Sequence, residues 1–273
     1  MRPLVALIAV LASGCSAGVI DAIDLDPRSL YDGLLAHWTF DDGPGSTVLT
    51  DSTANKRVGM VFPGATFQSA DAGHPGFGGF LHLDGSDGSM DPLTASEVDV
   101  PRFPAPNGSW SVAGWVRAPA GDTGNSYATI VSTELLRNYG WQLNLRLAPA
   151  SQTNPLNQES AYQYAYWVGP GDSQYRYIEC ACFVADGWVH IAGVADFDRK
   201  LISIYHDGIL VGSQDAPEPI KPGSMTLYFG RWGSASDRRL VGDLDDFVVY
   251  DRALTQPEIE QLAGGPLPTT PPP

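Results

Sequence analysis

Glycine and proline interrupt this chain every ten or so residues, and between the interruptions almost no stretch keeps a helical period. With 30 glycines and 22 prolines in 273 residues, long helices are excluded, whereas short extended runs fit between the breaks. Runs rich in β-branched and aromatic residues lie at 33–40, 57–62, 79–85, 109–118, 127–133 and 140–147. They continue at 162–169, 188–197, 200–208, 225–231 and 244–251. So many strands without intervening helices predict an all-β fold, a two-sheet antiparallel sandwich or jelly roll. One short helix is expected near the end, in RALTQPEIEQLAGG. Thr255 suits an N-cap, Pro257 the first turn and Glu258 a capping box, while Gly264 ends the helix. Its Ile259 and Leu262 share a face that can pack on the sandwich.

Hydrophobic residues make up 43% of the chain, enough for one large core. The 16 basic residues against 31 acidic ones leave a charge of −15, which speaks against nucleic acid as a partner. Three of the aspartates head the last strand, in GDLDDFVVYD. Strict alternation places Asp245 on the same face as Phe247 and Val249. A carboxylate on a core face needs a partner, which is either a bound cation or backbone N–H groups.

The ends carry their own signals. In MRPLVALIAVLASGC an arginine precedes an apolar run too short to span a bilayer. LASGC resembles the lipobox of bacterial lipoproteins. That resemblance implies a signal peptide at 1–14, a lipid on Cys15 as the only membrane attachment, and a tether at 15–30. Ser16 in place of Asp favours the outer membrane. An ordinary cleaved signal peptide is the alternative, and either reading exports the protein. The Pro-rich end, 265–273, is read as a tail that cannot pack. Cys180 and Cys182 would lie about 6.6 Å apart on a regular strand, which leaves open a disulfide or two packed hydrophobes.

Several segments together resemble laminin-G-like, concanavalin A-like jelly-roll domains. They are GLLAHWTFDDGPGSTVLTDSTANKRVGMVF, WSVAGWVRA, GWVHIAGVADFDRKLISIYHDGILVGSQ and GDLDDFVVYDRALTQPEI, and they cover about residues 31–264. The stretch 134–182 is longer and more aromatic than the resemblance predicts. In such domains a Ca²⁺ often clips the N-terminal loop to the last strand. Carried over, its ligands would be Asp41, Asp51, Asn55 and Asp245. The other reading makes these residues turn formers and acceptors of backbone N–H groups.

The same superfamily contains glycoside hydrolases and polysaccharide lyases. The Glu-x-Asp-x-x-Glu signature of the former is not recognised, and STELLRN only faintly resembles a lyase strand whose companion strand is missing. His37, His74, His82, His190 and His206 fall in no recognised Ser/His/Asp arrangement, so no catalytic residue is named. Binding is better supported, because sugars stack on aromatic faces. Tyr162, Tyr164 and Tyr166 alternate along one strand, Tyr175 and Tyr177 follow, and Trp141 and Trp232 are expected nearby. Burial of these rings in the core is the competing reading. Trp38, Trp110, Trp115 and Trp188 are assigned to the core. The expected function is non-catalytic binding of a glycan or polysaccharide. A protein-interaction scaffold of the cell envelope and a polysaccharide-active enzyme are the alternatives.

Overall fold

The structure is a computed structural model. It describes residues 26–71, 74, 76–86, 95–105, 108–118, 127–133, 139–147, 162–170, 175–183, 187–219, 224–233 and 238–272. Two antiparallel sheets face each other, with strands numbered in chain order. One, here the terminal sheet, contains both the first and the last strand. Its spatial order is β14 (Ile209–Asp215), β13 (Leu201–His206), β12 (Val189–Asp196), β7 (Trp110–Arg117), β16 (Val241–Tyr250), β5 (Phe80–Asp84) and β4 (Ala65–Gln68). Strand β1 (Leu34–Trp38) also pairs with β16. The front sheet runs β11 (Arg176–Phe183), β10 (Tyr162–Pro170), β9 (Tyr139–Leu147), β8 (Tyr127–Ser132), β15 (Ser224–Phe229), β6 (Val98–Pro104), β3 (Gly59–Val61) and β2 (Val48–Leu49). This is the expected jelly-roll sandwich.

Alternation along the strands explains the core. On β7, Trp110, Val112 and Val116 point between the sheets, and Gly114 lies in the same row. A Cβ at Gly114 would collide with the ring of Phe247. Phe40, Phe229 and Phe247 meet edge to face at centroid distances of 5.4–6.3 Å, the arrangement that ring quadrupoles favour. A second, smaller cluster lies outside the terminal sheet. There Ala113, Ala192, Val248 and Tyr250 are covered by Ile259 and Leu262 of helix α1 (Gln256–Ala263). Thr255 donates from its backbone N–H to Glu258 at 2.8 Å, as the capping box requires.

Three expectations need correction. Asp245 does not share a face with Phe247. Asp246 sits in the left-handed region at φ 46°, and the register with β7 shifts between Asp245 and Val248. This bulge puts both Leu244 and Phe247 in the main core, so Asp245 turns outward (one extra residue inverts the alternation). Secondly, the ends of the domain are packed rather than loose. Leu30, within the expected tether, and Leu267, within the expected tail, are both buried in the outer cluster. Tyr31 donates its hydroxyl to the carbonyls of Pro268 and Thr270. A single apolar side chain among prolines is enough to dock the tail. Finally, β2, β4, β6, β11 and β14 extend the expected strand list. Prolines disguise β6, whose register against β15 shifts between Met225 and Leu227 opposite Val100 and Phe103, at a bulge of the kind that tolerates proline. The signal peptide, Cys15 and most of the tether lie outside the described residues, as do residues 134–138 of STELLRN.

Gly114→Ala is expected to destabilise the fold by ~2 kcal/mol or more through overpacking against Phe247. Leu267→Ala should cost about as much through the lost burial of one leucine. Urea unfolding of the two variants measures both effects, and an unchanged midpoint for Leu267→Ala would return the tail to a passive role.

Candidate functional site: the outer face of the front sheet

Strand β10 decides which aromatic rings are available. Tyr164 and Tyr166 point into the core and are 1% and 0% exposed, so the expected tyrosine face is not a surface. Burial raises both phenols above their ordinary pKa. Tyr166 fits because Gly193 opposite has no side chain, and a Cβ there would come within 2.6 Å of its ring. Trp141 is likewise buried in the core. The side chain of Tyr162 lies outside the described part of the structure. The opposite row of β10, Gln163, Ala165 and Trp167, forms the outer face, and Trp167 is the ring that the periodicity argument assigned to neither set.

Around Trp167 the structure gathers the remaining candidates. Tyr175 stacks on Trp167 at 5.2 Å with planes 3° apart, and Tyr177 at 5.2 Å and 30°. Tyr127 of β8 meets Trp167 edge-on at 5.9 Å. Two arginines continue the series. Arg146 lies 5.6 Å from the ring of Tyr127 and 5.5 Å from that of Tyr177. Arg238 lies 4.7 Å from Tyr127 and 3.9 Å from Trp232. Aromatic faces and guanidinium groups thus alternate from Trp232 to Tyr177, and Trp167 and Tyr175 continue the series as stacked rings; cation–π attraction and the ion pair of Arg146 with Glu179 hold it. Tyr177 is 40% exposed.

Buried polar groups occupy the same sheet face. Thr129, Gln142, Asn144 and Gln163 are all buried, and neither amide atom of Asn144 has a hydrogen-bond partner. Further across the face, Glu97 accepts from Arg231 at 2.9 Å and also from Arg239. Beside it, Asp99 has one oxygen without a partner. Burial, reinforced by the Glu97 charge, raises its carboxyl to about 6. The sequence reading missed this cluster because β6, hidden by its prolines, was not recognised as a strand.

The predicted calcium ligands do not converge as a set. Asp51 accepts backbone N–H groups from His37, Thr53 and Arg57 and the Thr53 hydroxyl, at 2.8–3.1 Å. Asn55 donates to the Leu35 carbonyl at 2.9 Å. Asp41 accepts from the Gly79 N–H at 2.6 Å. Asp245 accepts from the N–H of Asp246 at 2.8 Å. Among the described residues, no group of three His, Cys, Asp or Glu side chains is arranged to hold a metal ion. Asp41 and Asp245 nevertheless feel each other. Burial first, then the charges of Asp246 and Asp41, raise the Asp245 carboxyl to about 8.

A different joint links the two ends. His37 Nε2 lies 2.5 Å from Asp246, its Nδ1 lies 2.9 Å from the Ser52 hydroxyl, and Asp246 also accepts the N–H of Leu267 at 2.9 Å. Ser52, His37 and Asp246 are therefore hydrogen-bonded in series, an arrangement that their spacing in the sequence does not reveal.

Trp115 and Trp188 are half-buried on the outside of the terminal sheet rather than in the core. They pack around His74, whose ring has no hydrogen-bond partner and is lowered to about 4 chiefly by burial. Arg117 bridges Asp71 and Asp243 beside them, and His82 adds a 2.7 Å contact to Asp243. Cys180 and Cys182 form a disulfide with Cα atoms 5.0 Å apart. The register shift of β11 against β10 contracts the strand below its regular repeat.

Residues 92–260 match the model of the concanavalin A-like lectin/glucanases superfamily. The chain belongs to that superfamily. No curated protein matches it. Among solved structures, the binding domain of Paraclostridial Mosquitocidal Protein 1 superposes with a TM-score of 0.62 at 15% identity, over 86% of this chain and 52% of that one. The botulinum neurotoxin serotype G binding domain gives 0.61 at 15% identity, over 85% and 50%. This chain spans about half the length of both. Domain 4 of AbnA, a GH43 extracellular arabinanase from Geobacillus stearothermophilus, in complex with arabinotriose, gives 0.55 at 18% identity, over 84% and 98%. At these identities the likeness concerns the fold.

A carboxyl whose folded pKa is raised binds its proton more tightly in the native state. Stability from Asp245 is therefore fully present below its unfolded value of 3.8 and is lost as pH rises towards about 8. Asp245→Asn should flatten that decline and gain ~1–3 kcal/mol at pH 8.5 in metal-free buffer. Urea titrations at pH 5 and 8.5 test this, and parallel behaviour of wild type and variant would contradict it.

Proposed function

We propose that this chain is a non-catalytic binding module that recognises carbohydrate through the outer face of its front sheet. The observation that carries this reading is the unbroken series of aromatic faces and guanidinium groups from Trp232 to Tyr175. Sugar rings present C–H faces that stack on such surfaces, and their hydroxyls are taken up by amides and guanidinium groups. Arg146 and Arg238, part-exposed in the same series, supply that second kind of contact. The arabinotriose complex of the similar arabinanase domain supports the same class of ligand. Export, with a lipid on Cys15 at the outer membrane, belongs to this proposal and would present the domain to extracellular or envelope polysaccharide. Incorporation of labelled palmitate into wild type but not Cys15→Ser tests it.

A glycan array with the purified protein tests the binding reading. Trp167→Ala and Tyr177→Ala should each weaken a positive signal at least tenfold, about 1.4 kcal/mol, while Tyr164→Phe, altered only in the core, leaves it unchanged. An array blank for the wild type would favour a protein scaffold instead. Asp99 is the residue on this face best suited to act as a general acid, because its pKa of about 6 lies near working pH. Release of reducing ends from a polysaccharide panel, lost in Asp99→Asn, would replace binding with catalysis.

Calcium enters in a reduced form. Asp51 and Asn55 are committed to backbone groups, which leaves Asp41 and Asp245 to hold a cation, well short of the 6–8 oxygens that Ca²⁺ takes. Bound there, the ion would neutralise the buried Asp245 and the exposed Asp41 beside it. Calcium should then raise the melting temperature of wild type but not of Asp245→Asn at pH 8, and equal melting in calcium and EDTA would remove it from the account.

A further inference from the structure

We infer that the groove at the β2–β3 edge of the front sheet docks an acidic, aliphatic polypeptide segment. Acidic residues outnumber basic ones 31 to 16, so a cluster of cations without carboxylates is a local departure from the chain's charge. Arg117, Arg146, Arg199, Arg231, Arg239 and Arg252 are all ion-paired. Lys56, Arg57, Arg102, Arg176, Lys200 and Arg238 have no carboxylate partner among the described residues, and three of these six, Lys56, Arg57 and Arg102, line this one groove. Lys56 donates to the Ser52 carbonyl at 3.3 Å. Arg57 donates to the Leu35 carbonyl and lies 5.6 Å from the Phe103 ring. Among the described residues, no carboxylate lines the groove.

Its floor supplies the second half of the chemistry. Val48, Val58 and Met60 are 41%, 53% and 56% exposed there. Its volume, about 960 Å³, falls at the top of the ~300–1,000 Å³ of small-molecule pockets, so the lining rather than the size decides the occupant. An aliphatic floor offers little stacking surface to sugar, but it suits Val, Ile or Leu side chains, and exposed Met and Arg are the types enriched at protein interfaces. The acidic charge of the whole chain does not forbid an acidic partner. At physiological salt each field is screened within about 8 Å, so the local cations decide. This site is separate from the aromatic face and does not rest on the carbohydrate reading.

The test is fluorescence anisotropy of a labelled octapeptide alternating Asp with Val and Ile, titrated with the full chain. Binding is expected for wild type. The double variant Lys56→Asp/Arg102→Asp should weaken it at least tenfold, Met60→Ser should weaken it severalfold, and raised salt should weaken it progressively. Aspartate is chosen because both positions have positive φ, 49° and 56°, which Asp tolerates. If that variant fails to fold, Lys56→Gln/Arg102→Gln replaces it. A peptide with Lys in place of Asp should not bind, and Trp167→Ala should leave peptide binding intact. No binding to wild type, or equal binding to the charge variant, overturns the inference. So does concentration-dependent self-association by sedimentation that Arg102→Asp abolishes, since a second copy would then be the occupant.

Discussion

His37 and Asp246 are 209 positions apart and meet at 2.5 Å. Their contact, with the pairing of β1 on β16, closes the whole sandwich into one unit. Ordering so long a loop costs entropy, and a single surface ion pair would return little of it. Here the joint is buried and each member has further partners: Ser52 on the imidazole and the Leu267 N–H on the carboxylate. Satisfied networks of this kind are stronger inside a protein than in water. The bulge at Asp246 is what aims that carboxylate at His37 and, by the same shift, returns Phe247 to the core.

How legible this was depends on which period each segment obeys. The strands β1, β7 and β12 were readable, β16 was readable as a strand but not in its register, and the helix was readable from its capping box. In the first three and in the helix, the hydrophobic pattern and the neighbours specify the same thing. Among the extra strands, β6 was hidden because it carries two prolines. For the candidate site, Tyr175, Tyr177 and Trp232 were found and Tyr164, Tyr166 and Trp141 were misplaced. Alternation identifies two rows on β10 but does not say which faces the second sheet. Gly193 settles that choice, since only Tyr166 can fill the space it leaves. Nothing local in the sequence links these two residues. Trp167, Tyr127 and Arg238 were invisible for the same reason, as they meet only through β8, β9 and β10 lying side by side.

The charges follow a similar logic. Asp51 was readable as special from its place in DSTAN, and both its oxygens accept hydrogen bonds from the turn that follows it. Asp245 carries the opposite signature, a buried carboxylate accepting a single N–H and pushed to about 8. Two acids assigned to one site therefore divide into a satisfied group and a strained one. Glu97 and Asp99 repeat that contrast two residues apart, one clamped by arginines and the other raised to about 6 by burial.

Leu30 and Leu267 share one cluster beneath the terminal sheet, with Tyr31 reaching across to Pro268 and Thr270. The polypeptide therefore enters and leaves the domain on the same flank, like two threads tied at the back of a plate. Both the aromatic ladder and the cationic groove lie on the plate's other side. The first and last described turns thus anchor each other on the face opposite both candidate surfaces.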